Sequence, residues 1–595
     1  MTDTVHETPL ERLEQLPDFV LHSALRTVRK HPVVGWAWSL LRLDFTGIAF
    51  GAFFVCWSLT PSLLPRGWLF QGIVSGINAA IGYGVGVAVQ WAVKRWFLHK
   101  QPWWPLPDRI ERALKIVVPV LSTLAVAIML AVSAQWQREL SALMSAEGTT
   151  TTGYFRTGAI MIVLAALLIS LWRTLRDLRR YIARKILRRT RIPRGMANAI
   201  GVVLILVVGV TLVQGVLLRG FISVANSISS VKNDETRSGV VQPTDAERSG
   251  SSASTVSWDS LGYEGRNFVA GGLTADQMTE VTGRPAEEPI RAYVGLASAP
   301  TSDERMSMVV DELERTGAFS RKAIVVMPTT GTGWVDPVSA RAFEMMYDGD
   351  TAIIATQYSY LPSWISFIAD REASAAAGRI LIDTVQRRWS SEPEETRPKL
   401  YVYGESLGSQ AGEAAFTDIS DIRDKVDGVL WVGPPNSNRI WQTYVTRRDP
   451  GTTEVEPEYA GGLLVRFADS AERLDAQDGP WPQPRVLYMQ HASDPIVWWS
   501  PSLLFERPDW LAEPPGSDRL ASMRWFPIVT FWQVTADMTN SLGVPSGHGH
   551  SYGASAVDSW AAVAPPEGWT NADTERVQAD MDEVGEKFPN LDAPE

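Results

Sequence analysis

Cysteine is all but missing from this chain. The single Cys56 lies inside an apolar run, so no intrachain disulfide and no cysteine-built metal site can form, and any exported part must hold its fold by its core alone. Histidine is scarce too: His6, His22, His31, His99, His491, His548 and His550 are the full set, which shortens the search for a catalytic base. No glycine-rich loop ends in Lys-Ser or Lys-Thr, so the phosphate-cradling pattern is absent, and neither a cofactor nor a metal is expected. Positive charge is short in one part only. Through Arg219 there are 25 Lys/Arg and 11 Asp/Glu, a net of +14; with -11 for the whole chain, residues 220–595 carry -25. That acidic part lacks the basic face that nucleic acid needs, so no nucleic-acid partner is expected. Residues 1–42 begin polar and acidic (Asp3, Glu7, Glu11, Glu14), without the basic start and short apolar core of a cleaved signal peptide.

Apolar residues, by contrast, are abundant: 45% of 595 residues, with 24 Trp. Five long apolar runs, at 45–64, 69–93, 114–134, 155–172 and 197–218, each approach the ~17–25 residues needed to cross a bilayer. They predict an all-α transmembrane domain of five spans over 43–226. Basic residues fall mainly in two of the connections, six in 94–115 and ten in 173–194. Positive connections stay cytoplasmic, so the N-terminus is expected inside and everything after Leu218 outside, with anionic headgroups beside the basic connections. The second run carries Gly72 and Gly76, then Gly82, Gly84 and Gly86, small residues that suit close helix packing. Asn78 and Gln90 in that run read as interhelical hydrogen-bonding groups or as marks of a polar path.

From Ser227 to Thr255 the composition turns to Ser, Thr, Asp, Glu and Gly, which reads as a flexible linker over 227–262. Beyond it, over 263–595, strand-like and helix-like runs alternate. Strands are expected at 291–296, 323–327, 352–355, 400–403, 429–432, 463–467 and 486–489, with helices at 303–316 and 370–389 among them. That alternation predicts a mostly parallel sheet covered by helices on both faces, with ligands at the carboxyl ends of its strands.

The stretch Lys399 to Phe416, KLYVYGESLGSQAGEAAF, joins a strand-like run to Gly404-Glu405-Ser406-Leu407-Gly408 and then to small helix-forming residues. A serine hydroxyl is a poor nucleophile until a sharp turn exposes it and a neighbouring base takes its proton. The two glycines permit the turn, and the amide of Leu407 faces the developing oxyanion. His548 and His550 lie in a glycine-rich loop, Ser546 to Gly553 (SGHGHSYG), before the final helical stretch. Either is a candidate base; a small residue and an aromatic after Gly-His favour His550, leaving His548 a supporting hydrogen bond. His491 directly follows a strand and reads as a packed residue. The acid that fixes the histidine tautomer is expected at Asp494, in HASDPIV, because the order serine, acid, histidine then holds; Asp469 is the rival. A second oxyanion donor is expected from the loop Thr329 to Gly333, at the amide of Thr330 or Gly331. Trp334, Trp364, Trp498 and Trp499 sit on loops, where they suit an acyl or lipid substrate or fill the core.

With these pieces in place, the chain resembles the actinobacterial α/β-hydrolase family that joins a membrane N-terminal domain to a C-terminal hydrolase domain. The resemblance is carried by Gly262 to Gly272 (GYEGRNFVAGG), Arg315 to Phe319 (RTGAF), Pro328 to Trp334 (PTTGTGW), Gln357 to Trp364 (QYSYLPSW), the serine turn, Trp431 to Pro435 (WVGPP), His491 to Trp499, Phe531 to Val534 (FWQV) and Gly547 to Gly553. It implies an α/β-hydrolase fold with Ser406, Asp494 and His550 or His548 as the triad. The expected activity is therefore a membrane-anchored serine esterase, lipase or acyltransferase working on lipid or acyl esters of the cell envelope. A lipid-handling scaffold that binds without turnover is the competing reading.

Overall fold

A computed structural model of the chain describes residues 43–97, 107–146, 151–212, 215, 219–369, 371–477, 479–588 and 591; the expected cytoplasmic segment 1–42 lies outside them. Two compact units emerge. The first comprises residues up to Leu59, Gly67–Ala134 and Thr149–Thr211, and the second comprises Thr60–Arg66, Gln135–Gly148 and Leu212–Glu595.

Among the described residues each apolar run contains a helix: α1 (Phe45–Ser58), α2 (Trp68–Trp96), α3 (Asp108–Leu143), α4 (Thr151–Arg189) and α5 (Arg194–Val210). Among the described residues three of these, α2, α3 and α4, are long and apolar enough to cross a membrane, rather than the five expected. The reason is where the outer two helices stop. At about 1.5 Å per residue, the 14 residues of α1 fall well short of a ~30 Å hydrocarbon core. Pro61 and Pro65 prevent its continuation, and Leu63 and Leu64 are instead fully buried in the core of the second unit. Helix α5 has 17 residues, after which Thr211 and Leu212 take the wider π-helical turn. The glycines of α2 work as packing faces on two sides. A Cβ at Gly76 would press on Leu164 of α4 at 3.0 Å, and one at Gly86 on the Thr46 carbonyl of α1 at 2.6 Å. Gly84 meets nothing. The Asn78 side chain donates back to the Val74 carbonyl of its own helix at 2.9 Å.

The second unit is built on a seven-stranded, wholly parallel sheet: β1 (Ile290–Val294), β2 (Ala323–Val326), β3 (Thr351–Thr356), β4 (Lys399–Glu405), β5 (Gly428–Val432), β6 (Val465–Ala468) and β7 (Arg485–Met489). Their order is β1-β3-β2-β4-β5-β7-β6, so each of the seven expected runs is a strand. Sequences such as AIVV and GVLWV are apolar at successive positions because both sheet faces are covered. Helices α7 (Ser302–Arg315), α9 (Arg371–Trp389) and α10 (Leu407–Glu413) pack as one group. Helices α8 (Pro337–Met346), α12 (Ala556–Val563) and α13 (Asn571–Lys587) form another. The two groups lie on opposite faces: on β5, Trp431 meets Gly412 of α10 while Gly428, three residues away, meets Val563 of α12. Two further helices, α6 (Arg219–Asp234) and α11 (Val529–Asp537), complete the elements that bear on the site.

The Ser227–Thr255 stretch is held, not free. Its first part is the end of α6. Further on, the Ser249 amide donates to the Arg291 carbonyl at 3.1 Å, alongside β1. The hydroxyls of Ser249, Ser254 and Thr255 all donate to the buried carboxylate of Glu312 on α7, at 2.8, 3.0 and 2.9 Å. A polar composition thus finds its partners in one buried acid, where the sequence alone suggested solvent. Glu312→Ala removes several charge-assisted hydrogen bonds of about 1.5–3 kcal/mol each. Proteolysis within 249–256 should accelerate at least about tenfold through local opening; an unchanged cleavage rate would contradict this anchoring.

Candidate functional site

Strand β4 delivers Ser406 to the carboxyl edge of the sheet. The residue sits at φ 52°, ψ -125°, a left-handed conformation that a serine adopts only where its surroundings impose it. Two glycines make the turn fit. A Cβ at Gly404 would lie 2.6 Å from the Gly408 carbonyl, and one at Gly408 would overlap the Pro328 carbonyl at the end of β2. The Ser406 amide donates to the Val432 carbonyl of β5 at 2.9 Å, and the Ser406 carbonyl accepts from Ser409 Oγ at 2.6 Å. The side chain itself is partly exposed, and the Leu407 amide opens the helix behind it.

The loop after β7 and the loop before α12 meet beside that turn. His550 Nδ1 lies 2.7 Å from Asp494 Oδ2, and since a carboxylate only accepts, Nδ1 carries the proton. Asp494 is fully buried and otherwise satisfied: Oδ2 also accepts from Tyr552 Oη at 2.8 Å, and Oδ1 from the Ile496 amide at 2.8 Å. The imidazole is buried as well, and its Nε2 has no hydrogen-bond partner. Burial disfavours the charged ring, but the Asp494 charge and hydrogen bond, with Glu405 adding to them, outweigh it and raise the His550 pKa above the ordinary value. Gly433 closes the connection to Ser406: any Cβ there would overlap His550 Cε1, and Gly433 directly follows Val432, whose carbonyl holds the serine amide. Ser406 and His550 therefore sit at the same end of β5.

His548 goes elsewhere. Its Nδ1 is 3.3 Å from Asp518 Oδ2, so its acid is Asp518 and not Asp494. The Ser493 hydroxyl also donates to that Asp518 oxygen, and Ser493 Oγ accepts from the Gly549 amide at 2.8 Å. His491 stacks on Tyr552, ring centroids 4.0 Å apart, with Nδ1 on the Gly549 carbonyl at 2.9 Å. Both backbone polar groups of Gly549, the residue before His550, are thus tied to residues just ahead of Asp494. Asp469, the rival acid, accepts from Ser517 Oγ at 2.6 Å.

In the loop after β2, the Thr330 amide turns to its own loop's Trp334 carbonyl at 3.4 Å, and Gly331 packs against the Leu361 carbonyl and Ser366. The loop is pinned by Thr329 Oγ1 on the Thr356 carbonyl at 2.7 Å, Gln357 Nε2 on the Thr332 carbonyl at 2.8 Å, and Tyr293 Oη on the Gly333 carbonyl at 2.9 Å. Trp498 belongs to the core, wholly buried with its indole N–H on the His491 carbonyl. Trp499 is half-buried and packs with Phe367 and Phe531, centroids 5.7 Å away in each case. Trp334 is half-buried too, and the Trp364 side chain lies outside what is described. Among the described residues no group of three or more His, Cys, Asp or Glu is arranged to hold a metal ion.

Two site residues had escaped notice. Glu405, the residue before Ser406, is buried and accepts from Tyr403 Oη at 2.8 Å; burial, then the charge of Asp336, pushes its carboxyl well above the usual carboxylate range. Tyr403 and Glu405 share one face of β4, a period-two signal that could have paired them. Asp518, in an irregular loop, left no such signal.

The comparisons with known proteins bear on the whole arrangement. Residues 290–577 match the model of an alpha/beta-hydrolase family, and residues 59–272 match that of the family's N-terminus. The chain belongs to this alpha/beta-hydrolase family. No curated protein matches it, and no solved structure does. The first match takes in the entire sheet of this alpha/beta-hydrolase family member together with Ser406, Asp494 and His550.

Asp494→Asn removes the two larger influences that favour the charged His550 ring and leaves burial opposed by the Glu405 charge alone. The His550 pKa should then fall below the ordinary imidazole value of about 6.5, as read by NMR titration of labelled histidine. A midpoint equal to or above that of the wild type would contradict the pairing.

Proposed function

We propose that this protein is a membrane-anchored serine hydrolase or acyltransferase acting on lipid or acyl esters. The observation that carries the reading is the state of His550: Nδ1 committed to Asp494, Nε2 without a partner, and the ring at the strand end that also holds the Ser406 amide. In this reading Ser406 Oγ attacks the ester carbonyl while His550 Nε2 takes its proton, and Asp494 stabilises the imidazolium that forms. The oxyanion is received by the Leu407 amide at the helix start and by an amide of the Thr329 to Gly333 loop. His550 then returns the proton to the leaving alcohol, giving an acyl-serine that water or an acceptor alcohol releases. Phe367, Trp499 and Phe531, packed together beside the acid loop, suit an apolar acyl chain.

Connectivity supports a reading of the location. Thr60–Arg66, Gln135–Gly148 and the chain from Leu212 on belong to one compact unit, so they share one side of any membrane. The basic connections at 94–115 and 173–194 are reached from that unit through α2, α3 and α4. In this reading the chain returns to Leu212 by a further crossing that α5 begins but does not complete alone, its 17 residues being shorter than the three long apolar helices. Basic connections stay inside, which puts the catalytic unit outside the cytoplasmic membrane. Anionic lipid headgroups are then the partners of the basic connections.

A fluorophosphonate probe tests the chemistry. The wild type should be labelled; Ser406→Ala should lose all labelling, and His550→Ala should react about a thousandfold or more slowly. A folded wild type that stays unlabelled would favour binding without turnover. A reporter fused after residue 588 should be active only outside the cytoplasm, and cytoplasmic activity would overturn the orientation.

A further inference from the structure

The compact unit that holds the site contains a short strap that precedes the main part of that unit, from Leu212 on, by more than a hundred residues. Thr60–Arg66 (TPSLLPR) runs along α11. Asp537, the last residue of α11 and fully buried, takes the Ser62 hydroxyl, the Leu63 amide at 3.1 Å and the Arg66 guanidinium, whose Nε is 3.5 Å away. One turn earlier, Gln533 Nε2 donates to the Thr60 carbonyl at 3.1 Å. Just past the helix, Asn540 Nδ2 reaches the Pro65 carbonyl at 3.4 Å. The Arg66 amide in turn donates to Gln137 Oε1 at 3.0 Å. Gln137 lies in the second outlying segment, Gln135–Gly148, where Leu140 and Met144 are fully buried.

The strap ends against the histidine loop. Leu64 is fully buried, and its Cδ2 lies 3.3 Å from where a Gly549 side chain would begin, in a space also bounded by Val544 and the Ser541 carbonyl. Gly549 precedes His550, and the Ser541 carbonyl accepts the His550 amide at 2.9 Å. Leu64 thus backs Gly549, whose own amide and carbonyl, on Ser493 and His491, tie it to the acid loop. We propose that Leu64, clasped in place by Asp537 through Ser62 and Arg66, is a positioning residue for His550, so that the serine chemistry depends on a segment outside the contiguous hydrolase sequence. This inference rests on the reading of His550 as the base. A leucine there excludes water from the Gly549 peptide and stops the loop from sliding along α11; without the strap, Asp537 would be a buried carboxylate with no counter-charge.

The test uses the full chain in lipid nanodiscs, with hydrogen exchange read over 541–553 and over the strands β4 and β5, beside the fluorophosphonate rate split into probe affinity and reaction step. Leu64→Ala should raise exchange of the Gly549 and His550 amides by about tenfold or more while the strands hold. It should slow the reaction step about tenfold with probe affinity unchanged, and Leu64→Met should restore both. Should Leu64→Ala fail to fold, Ser62→Ala, which loosens the clasp and keeps the leucine, should produce the same local change. Unaltered exchange over 541–553 in a folded variant would overturn the inference, as would a rise spread equally over the strands. Local loosening in a protein whose wild type is never labelled at Ser406 would instead sink the serine reading and leave the role of the strap standing.

Discussion

A buried imidazole offers a free nitrogen only while its other nitrogen is tied down, and that condition organises the second unit. His550 satisfies it through Asp494, fully buried at the end of β7. A buried carboxylate is tolerable only when its lone pairs are occupied. Tyr552, the Ile496 amide and His550 itself occupy them, and His491 keeps Tyr552 in place by stacking on its ring. Gly433 leaves the room in which the ring lies.

The sheet sets this constraint against the serine. In the order β4-β5-β7, the central β5 holds the Ser406 amide on one side through Val432, while the Gly433 amide donates to the Met489 carbonyl of β7 at 2.9 Å on the other. Serine, acid and histidine thus refer to one strand, and small shifts of outer helices need not disturb their spacing. The strain at Ser406 is sustained by close backbone packing at Gly404 and Gly408, where side chains would not fit. Around this frame the strap at Thr60–Arg66 and the stretch at 249–255 are both pinned by buried acids, Asp537 and Glu312.

Much of this was legible from residues alone. Seven strand runs were readable because parallel strands covered on both faces are apolar at nearly every position, and the meeting of Asp494 with a histidine of the 548–550 loop because scarce histidines leave few choices. What was hidden has a common physical origin, namely partners distant in the chain. Leu63 and Leu64 looked like the end of a span because hydropathy does not tell lipid from a protein core, whereas Pro61 and Pro65 already marked the break. The Ser/Thr-rich stretch looked solvated because nothing nearby in sequence announced Glu312 as its acceptor. His548 and His550, two residues apart, were separable only by which carboxylate each meets, and Asp518 lies in a loop without periodicity.

The account stands on Ser406 and His550 acting on one reacting centre. The most direct measurement is an experimental structure of the protein after reaction with a phosphonate ester. It should show phosphorus bonded to Ser406 Oγ, one phosphoryl oxygen on the Leu407 amide, and His550 Nε2 within about 2.6–3.2 Å of an oxygen on that phosphorus. Phosphonate on another residue, or a modified Ser406 with His550 turned away from it, would contradict the account.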